Sequence, residues 1–239
     1  MHVVMVYRGR YHVRQALDLE SLAALLRAGG VRVSLVYDPD VFGVTDNVLQ
    51  IPWLARRLQS SEDIPARIAA LQPDLVLFSV LTPTYPWSRE TARRFKEQRE
   101  VPVVFTGLHP TLAPRRVMQD AFVDFVLQGE TEGTVPKLLE AVRTGTGIET
   151  VGNLWYRRGG RPVRTGDAGL VDLDALPLPC KDLFSPHISH AYSYVTTVSR
   201  GCPFGCSYCE EACYRKLYGP GYFRRKGVET VMRELIEAK

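Results

Sequence analysis

Leu75-Val-Leu-Phe-Ser79-Val-Leu-Thr-Pro-Thr84 and, further on, Pro102-Val-Val-Phe-Thr106-Gly-Leu-His-Pro-Thr111 are built alike. Each is a short run of branched and aromatic apolar residues that breaks, at its C-terminal end, into a polar stretch holding proline or glycine. A run with no polar alternation reads as a strand buried on both faces. The segment between them, Thr84 to Glu100, reads as a helix.

Working outward, the same unit recurs. Val3–Tyr7, Val31–Tyr37 and Val123–Leu127 read as further strands. A helical stretch carries Leu17, Leu19, Leu22, Leu25 and Leu26 and stops at Gly29-Gly30. Ser60 or Ser61 can cap a helix ending near Leu71, and Pro114–Asp120 and Thr134–Thr144 read as two more. Asp38 to Gln59 is a connection longer than such units need. Strands alternating with helices imply a parallel sheet covered on both faces. The expected fold over residues 1–148 is therefore α/β, a doubly wound flavodoxin-like sheet with its ligand at the C-terminal strand ends. Arg8-Gly9-Arg10, Ser79–Thr84, Thr106–Thr111 and Gln128–Thr131 all fall on that edge. None is a dinucleotide fingerprint or a P-loop.

The rhythm then changes. Residues 149–190 read as a linker: Val151–Arg158 and Arg161–Thr165 flank Gly159-Gly160, a two-residue hairpin signal, and a proline-rich stretch leads to Cys180. In 191–239, Tyr194–Val198 reads as a strand and Gly227–Glu237 as an amphipathic helix. One βα unit cannot bury a core of its own, so this last part reads as the opening of a larger domain, and the chain by itself is expected to be incomplete for turnover.

The chain has 239 residues, 45% of them hydrophobic and 23% charged, which is globular and neither disordered nor low-complexity. No apolar run approaches the roughly 18 residues of a membrane span, and the N-terminal one is broken by Arg8 and Arg10 before it could serve as a signal sequence. A cytosolic protein is expected. Net charge is +4. The surplus includes Arg215, Lys216, Arg224, Arg225 and Lys226, which read as a solvated face rather than a nucleic-acid stripe. Beside a redox centre such a face could attract an acidic electron donor.

Four of the five cysteines, Cys202, Cys206, Cys209 and Cys213, crowd into twelve residues. In a cytosolic chain such crowding points to metal or redox chemistry before disulfides. Thiolate softness selects iron–sulfur or zinc. Three thiolates spaced C-x3-C-x2-C can each hold one iron of a cubane [4Fe–4S] cluster, leaving the fourth iron open.

The loop Ser199-Arg-Gly-Cys202-Pro-Phe-Gly-Cys206-Ser-Tyr208-Cys209 resembles the signature of radical S-adenosylmethionine enzymes. The upstream half, with Gly107-Leu-His109-Pro-Thr and Gly129-Glu130-Thr-Glu-Gly loops, a hairpin and a proline-rich linker, resembles the cobalamin-dependent branch. That resemblance implies cluster ligation by Cys202, Cys206 and Cys209, with S-adenosylmethionine on the open iron and its adenine near Tyr208. It also implies that Ser79, Thr82, Thr106, Gly107, His109, Gly129 and Glu130 line the corrinoid or its nucleotide tail, and that residues 191–239 begin a (β/α) partial barrel. The Asp-x-His-x-x-Gly cobalt-ligand motif is absent, and His12 lacks its Asp and Gly, so no histidine ligand to cobalt is expected. The implied activity is methyl transfer to an unactivated carbon of a small-molecule substrate, with a flavodoxin or ferredoxin as electron donor. Ring closure and rearrangement are known variants of the branch. Three other readings stay open: a four-thiolate electron carrier closed by Cys213, a zinc site, and a non-catalytic corrinoid-binding module.

Overall fold

The computed structural model describes residues 1–9, 15–39, 63–188 and 194–238. The expected cap at Ser60 or Ser61, nearly all of the 38–59 connection and His12 lie outside them.

β1 (His2–Arg8) owes its central place to its sequence. Val3, Met5 and Tyr7 turn to one side and Val4 and Val6 to the other, and all five are buried. β2 (Arg32–Asp38) and β3 (Leu75–Ser79) pair with it in parallel on either side. β4 (Val103–Thr106) and β5 (Phe125–Leu127) follow in parallel beyond β3. The order β2-β1-β3-β4-β5 is the flavodoxin-like arrangement. The hairpin β6 (Leu154–Arg158) and β7 (Arg161–Arg164) does not stand apart. It extends the same sheet antiparallel from β5, giving seven strands.

Each face has its own core. Val3, Met5, Leu75, Leu77 and Val104 meet α1 (Leu17–Ala28) through Leu19, Leu22 and Leu26, and α6 (Val135–Thr144) through Leu138. Phe184, from the segment after the hairpin, closes that side against Tyr7. On the other face Phe78 and Phe105 pack with Phe95 of α3 (Tyr85–Lys96), Ile68 of α2 (Ile64–Ala70) and Val117 of α5 (Pro114–Val117). A short α4 (Leu108–Leu112) precedes α5. Among the described residues no helix is long and apolar enough to cross a membrane.

The C-terminal part departs from expectation in two places. Tyr194–Val198 is not a strand; only Ser199–Arg200 (β8) pairs, antiparallel, with Arg224–Arg225 (β9). The β-branched run has no strand beside it among the described residues, and its polar groups are taken elsewhere. The Thr196 hydroxyl donates to Glu234 (2.6 Å), and Lys181 donates to the Val195 carbonyl. Strand propensity without a partner edge does not make a strand. Between the cysteine loop and β9 lies a helix not anticipated from sequence, α7 (Glu211–Tyr218), and α8 (Val228–Glu237) follows β9.

Candidate functional site

The parallel strands end on a common edge, and there the chain leaves a cleft of about 620 Å³. Its floor is Tyr7 at the end of β1, Ser79 and Leu81 after β3, Gly107 and Leu108 after β4, and the 129–132 loop after β5. The first turn of α1 supplies Asp18 from one side. The roof is the cysteine segment: Ser199, Arg200 and Gly201 come from just before Cys202, Glu210 and Glu211 from just after Cys209, and Tyr214 and Tyr222 from further on.

The residues predicted from sequence to meet the corrinoid divide into two groups. Ser79, Gly107, Gly129 and Glu130 line the cleft. Thr82, Thr106 and His109 are not in its wall. His109 stacks on Tyr85 with ring centroids 4.1 Å apart, and its Nδ1 lies 3.3 Å from the Thr82 hydroxyl. Burial, and then the Arg116 charge, hold its pKa below the usual histidine value. Thr106 Oγ1 and His109 Nε2 are buried, and neither has a hydrogen-bond partner among the described residues. Such orphaned polar atoms carry a desolvation cost that a polar ligand group can offset. Two orphaned polar atoms at the strand ends fit a ligand that brings polar groups there.

Gly129 meets protein. Its φ is +78°, and a Cβ there would fall on the hydroxyl of Tyr218 and 2.7 Å from its Cζ. The next residue's N–H, that of Glu130, donates to the same hydroxyl at 2.6 Å. Tyr218 in turn stacks on Tyr222, and Tyr222 on Tyr214, with centroids 5.6 and 5.7 Å apart and rings nearly parallel. Burial raises the Tyr214 and Tyr218 phenols to about 12.

The cleft is rich in carboxylates: Asp18, Glu130, Glu132, Glu210 and Glu211 line it, with Arg200 among them. Arg200 Nη2 contacts Glu132 Oε1 at 2.5 Å, and Arg224 pairs with Glu130. Asp18 accepts the Ser79 hydroxyl at 3.3 Å. Burial, and then the nearby Glu132 charge, raise the Asp18 carboxyl above its usual value. Asp18, Glu132, Arg200, Tyr214 and Tyr222 were all missed in the sequence.

All five cysteines are free thiols. Cys202 and Cys209 are half-buried, Cys206 is exposed, and Tyr208 is 90% exposed. The loop is braced from α7, where Arg215 donates to the Pro203 carbonyl at 2.8 Å. Gly201 lets it enter: its φ is +84°, and a Cβ would lie 2.6 Å from the Tyr222 carbonyl oxygen. Cys213 rides on α7 and lines a separate hollow with Thr111, Gln128 and Lys216. Among the described residues, no three His, Cys, Asp or Glu side chains stand close enough to share one metal ion. The donor types fit an iron–sulfur cluster, in which each thiolate holds a different iron rather than sharing one ion.

The model of the B12 binding domain matches residues 3–139. The chain belongs to the B12-binding domain family. The match takes in all five parallel strands and runs into α6 of the B12-binding domain, so the cleft lies on its ligand edge. Beyond the domain, an uncharacterized methyltransferase of Pyrococcus horikoshii is 29% identical over 212 residues, covering 86% of this chain and 45% of its own length. The chain thus spans less than half of that relative. Among solved structures, the cobalamin-dependent S-adenosylmethionine radical enzyme OxsB superposes with a TM-score of 0.73 at 16% identity, covering 99% of this chain and 31% of its own. The radical S-adenosylmethionine methyltransferase TsrM from Kitasatospora setae gives 0.68 at 15%, covering 98% and 45%. At these identities the likeness is one of fold, and it extends past the B12-binding domain to the cysteine segment.

Proposed function

We propose that this chain carries the cobalamin site and the cluster loop of a radical S-adenosylmethionine enzyme, and that the enzyme is a methyltransferase acting at an unactivated carbon. One observation carries the reading. The two flanks of a C-x3-C-x2-C loop roof the ligand edge of a B12-binding sheet. Two reactive centres whose chemistry must meet at one substrate atom need such a shared opening. The relatives agree in kind: the OxsB structure holds aqua-cobalamin and S-adenosylmethionine, and that of TsrM holds cobalamin and a [4Fe-4S] cluster. The Pyrococcus relative is named a methyltransferase.

When bound, the cluster with S-adenosylmethionine would supply a carbon-centred radical and the corrinoid a methyl group. The chain's own residues hold and orient. Cys202, Cys206 and Cys209 would ligate the cluster, and Tyr208 would rest near the adenine. Ser79 and Gly107 would meet the corrinoid, with Thr106 and His109 flanking Gly107 along the chain and Thr82 fixing the His109 ring. Gly129 and Glu130 have most of their groups engaged with Tyr218 and Arg224, so their part is to seat the roof. A small-molecule substrate would occupy the space between the two centres. A flavodoxin- or ferredoxin-like donor in the cytoplasm would supply the electron. The basic run read as its docking face is partly spent internally: Arg215 holds Pro203, Arg224 holds Glu130 and Lys226 holds Glu234.

The test is anaerobic purification, reconstitution with iron and sulfide, and addition of hydroxocobalamin. The expected result is a corrinoid retained through gel filtration, with iron and acid-labile sulfide in equal amounts. Cys206→Ser should lose the iron and keep the corrinoid. Zinc without labile sulfide would overturn the cluster, and failure to retain any corrinoid would overturn the first half of the proposal.

A further inference from the structure

We infer that Glu130 and Glu132 are positioning residues that latch both flanks of the cysteine loop onto the ligand edge of the sheet, through Arg224 and Arg200. Arg200 and Arg224 stand directly opposite each other in the β8–β9 ribbon. Arg200 enters the cysteine loop, one residue ahead of Gly201. Arg224 lies beyond α7, on the returning side. Both guanidiniums reach the same four-residue loop after β5, although 68 residues separate Arg200 from Glu132 and 94 separate Arg224 from Glu130.

The contacts interlock. Arg200 Nη2 sits 2.5 Å from Glu132 Oε1 and 3.4 Å from the Ser21 hydroxyl of α1. Arg224 donates to the Val171 carbonyl at 2.7 Å as well as to Glu130. Glu130 bridges the two: its second carboxylate oxygen is buried without a hydrogen bond, 3.8 Å from Arg200 Nη1. Tyr218 adds a third tether through the Glu130 N–H. The Glu132 side chain is 1% exposed and that of Glu130 9%. A carboxylate buried this far persists only when paired, and the planar fork of arginine holds direction as well as charge. The ribbon itself is only two residues per strand, too short to fix its own place. The pair of ion contacts, with Tyr218, sets the cysteine loop over the cleft.

The consequence is that the 129–132 loop, read from sequence as a corrinoid contact, aligns one centre relative to the other. This rests on the proposed function for its purpose, but its test does not depend on a cluster. Hydrogen–deuterium exchange of the metal-free chain is measured on peptides from 199–226 and on β1–β4. Glu130→Gln and Arg224→Gln should each speed exchange across β8, α7 and β9 by about 5–150-fold, the equivalent of the about 1–3 kcal/mol lost when a buried group is left without its partner, while β1–β4 stay unchanged. The double variant should speed exchange by less than the product of the two single effects, because both remove the Arg224–Glu130 contact. Arg224→Lys, which keeps charge and loses the fork, should fall between.

Unchanged exchange in 199–226, or two single effects that multiply in the double variant, would overturn the latch. Should Glu130→Gln loosen β1–β4 as well, Arg224→Gln decides, since it alters a residue outside the sheet. If the wild-type chain takes up no iron on reconstitution, the cluster reading fails and the exchange result still stands or falls by itself.

Discussion

Exchanging Gly129 for alanine separates two costs that the structure places on one residue. The first is conformational: at φ +78° an L side chain sits in the left-handed region, at about 1–2 kcal/mol. The second is a collision. The new Cβ would lie 2.7 Å from Tyr218 Cζ, so the ring must move and release the Glu130 N–H. A buried donor left without its partner costs about 1–3 kcal/mol. Together the loss should be about 2–5 kcal/mol. Gly145, at the end of α6, is the control: its φ is +72°, and a Cβ there meets nothing within 4 Å. Gly145→Ala should therefore show the conformational cost alone, about 1–2 kcal/mol. Urea unfolding of both variants, compared at a common slope, measures the difference. In a Tyr218→Ala background, Gly129→Ala should cost no more than the control. Equal losses for Gly129→Ala and Gly145→Ala in the native background would refute the contact between Gly129 and Tyr218, and with it the seating of α7 on the sheet edge.

Phe78 is fully buried between β3 and the second core, and Phe78→Ala should cost about 3–5 kcal/mol in the same urea assay, whereas Phe204→Ala, 68% exposed in the cysteine loop, should stay within about 0.5 kcal/mol. Asp120 is 94% buried; burial alone would raise its carboxyl, but hydrogen bonds from Arg89 (2.6 and 2.7 Å) and from the Tyr85 hydroxyl (3.0 Å) outweigh this and hold it below the usual range. A depressed folded-state pKa gives stability that is complete above the unfolded value of about 3.9 and is lost as pH falls through the folded one. Asp120→Asn should therefore flatten the acid limb of the urea midpoint against pH, and an unaltered limb would rule the Asp120 pair out as its source. Cys213→Ser, on α7 and facing a separate hollow, should keep the full iron content after reconstitution, and loss of iron would make Cys213 a ligand.

The sheet was legible because burial on both faces writes itself into consecutive residues. Val3 to Tyr7 and Leu75 to Phe78 are apolar throughout, and alternate residues feed opposite cores. The hairpin was legible from Gly159-Gly160, but not its place, since pairing with β5 is a long-range choice that no local signal records. Tyr194–Val198 misled for the same reason: its β-branched residues promised a strand, and Glu234 and Lys181 took its polar groups instead. α7 carried a signal that went unused, with Glu211 in its first turn and Arg215 and Lys216 in its last, the charge order that favours a helix. At the site, Cys202, Cys206 and Cys209 were legible by spacing and the strand-end loops by position. Arg200, Glu132 and Asp18 were not, because their meaning lies in partners at 68 residues' distance or in burial at the mouth of the cleft.

The central claim is that the cysteine loop holds a cluster with one open iron beside a corrinoid. Its most direct test is titration of the reduced, reconstituted protein with S-adenosylmethionine while the electron spin resonance of the cluster is followed. The account predicts a shifted, saturating signal that is absent in Cys206→Ser. A wild-type signal that does not move with S-adenosylmethionine would contradict it, for the fourth iron would then already be closed by a ligand from the protein.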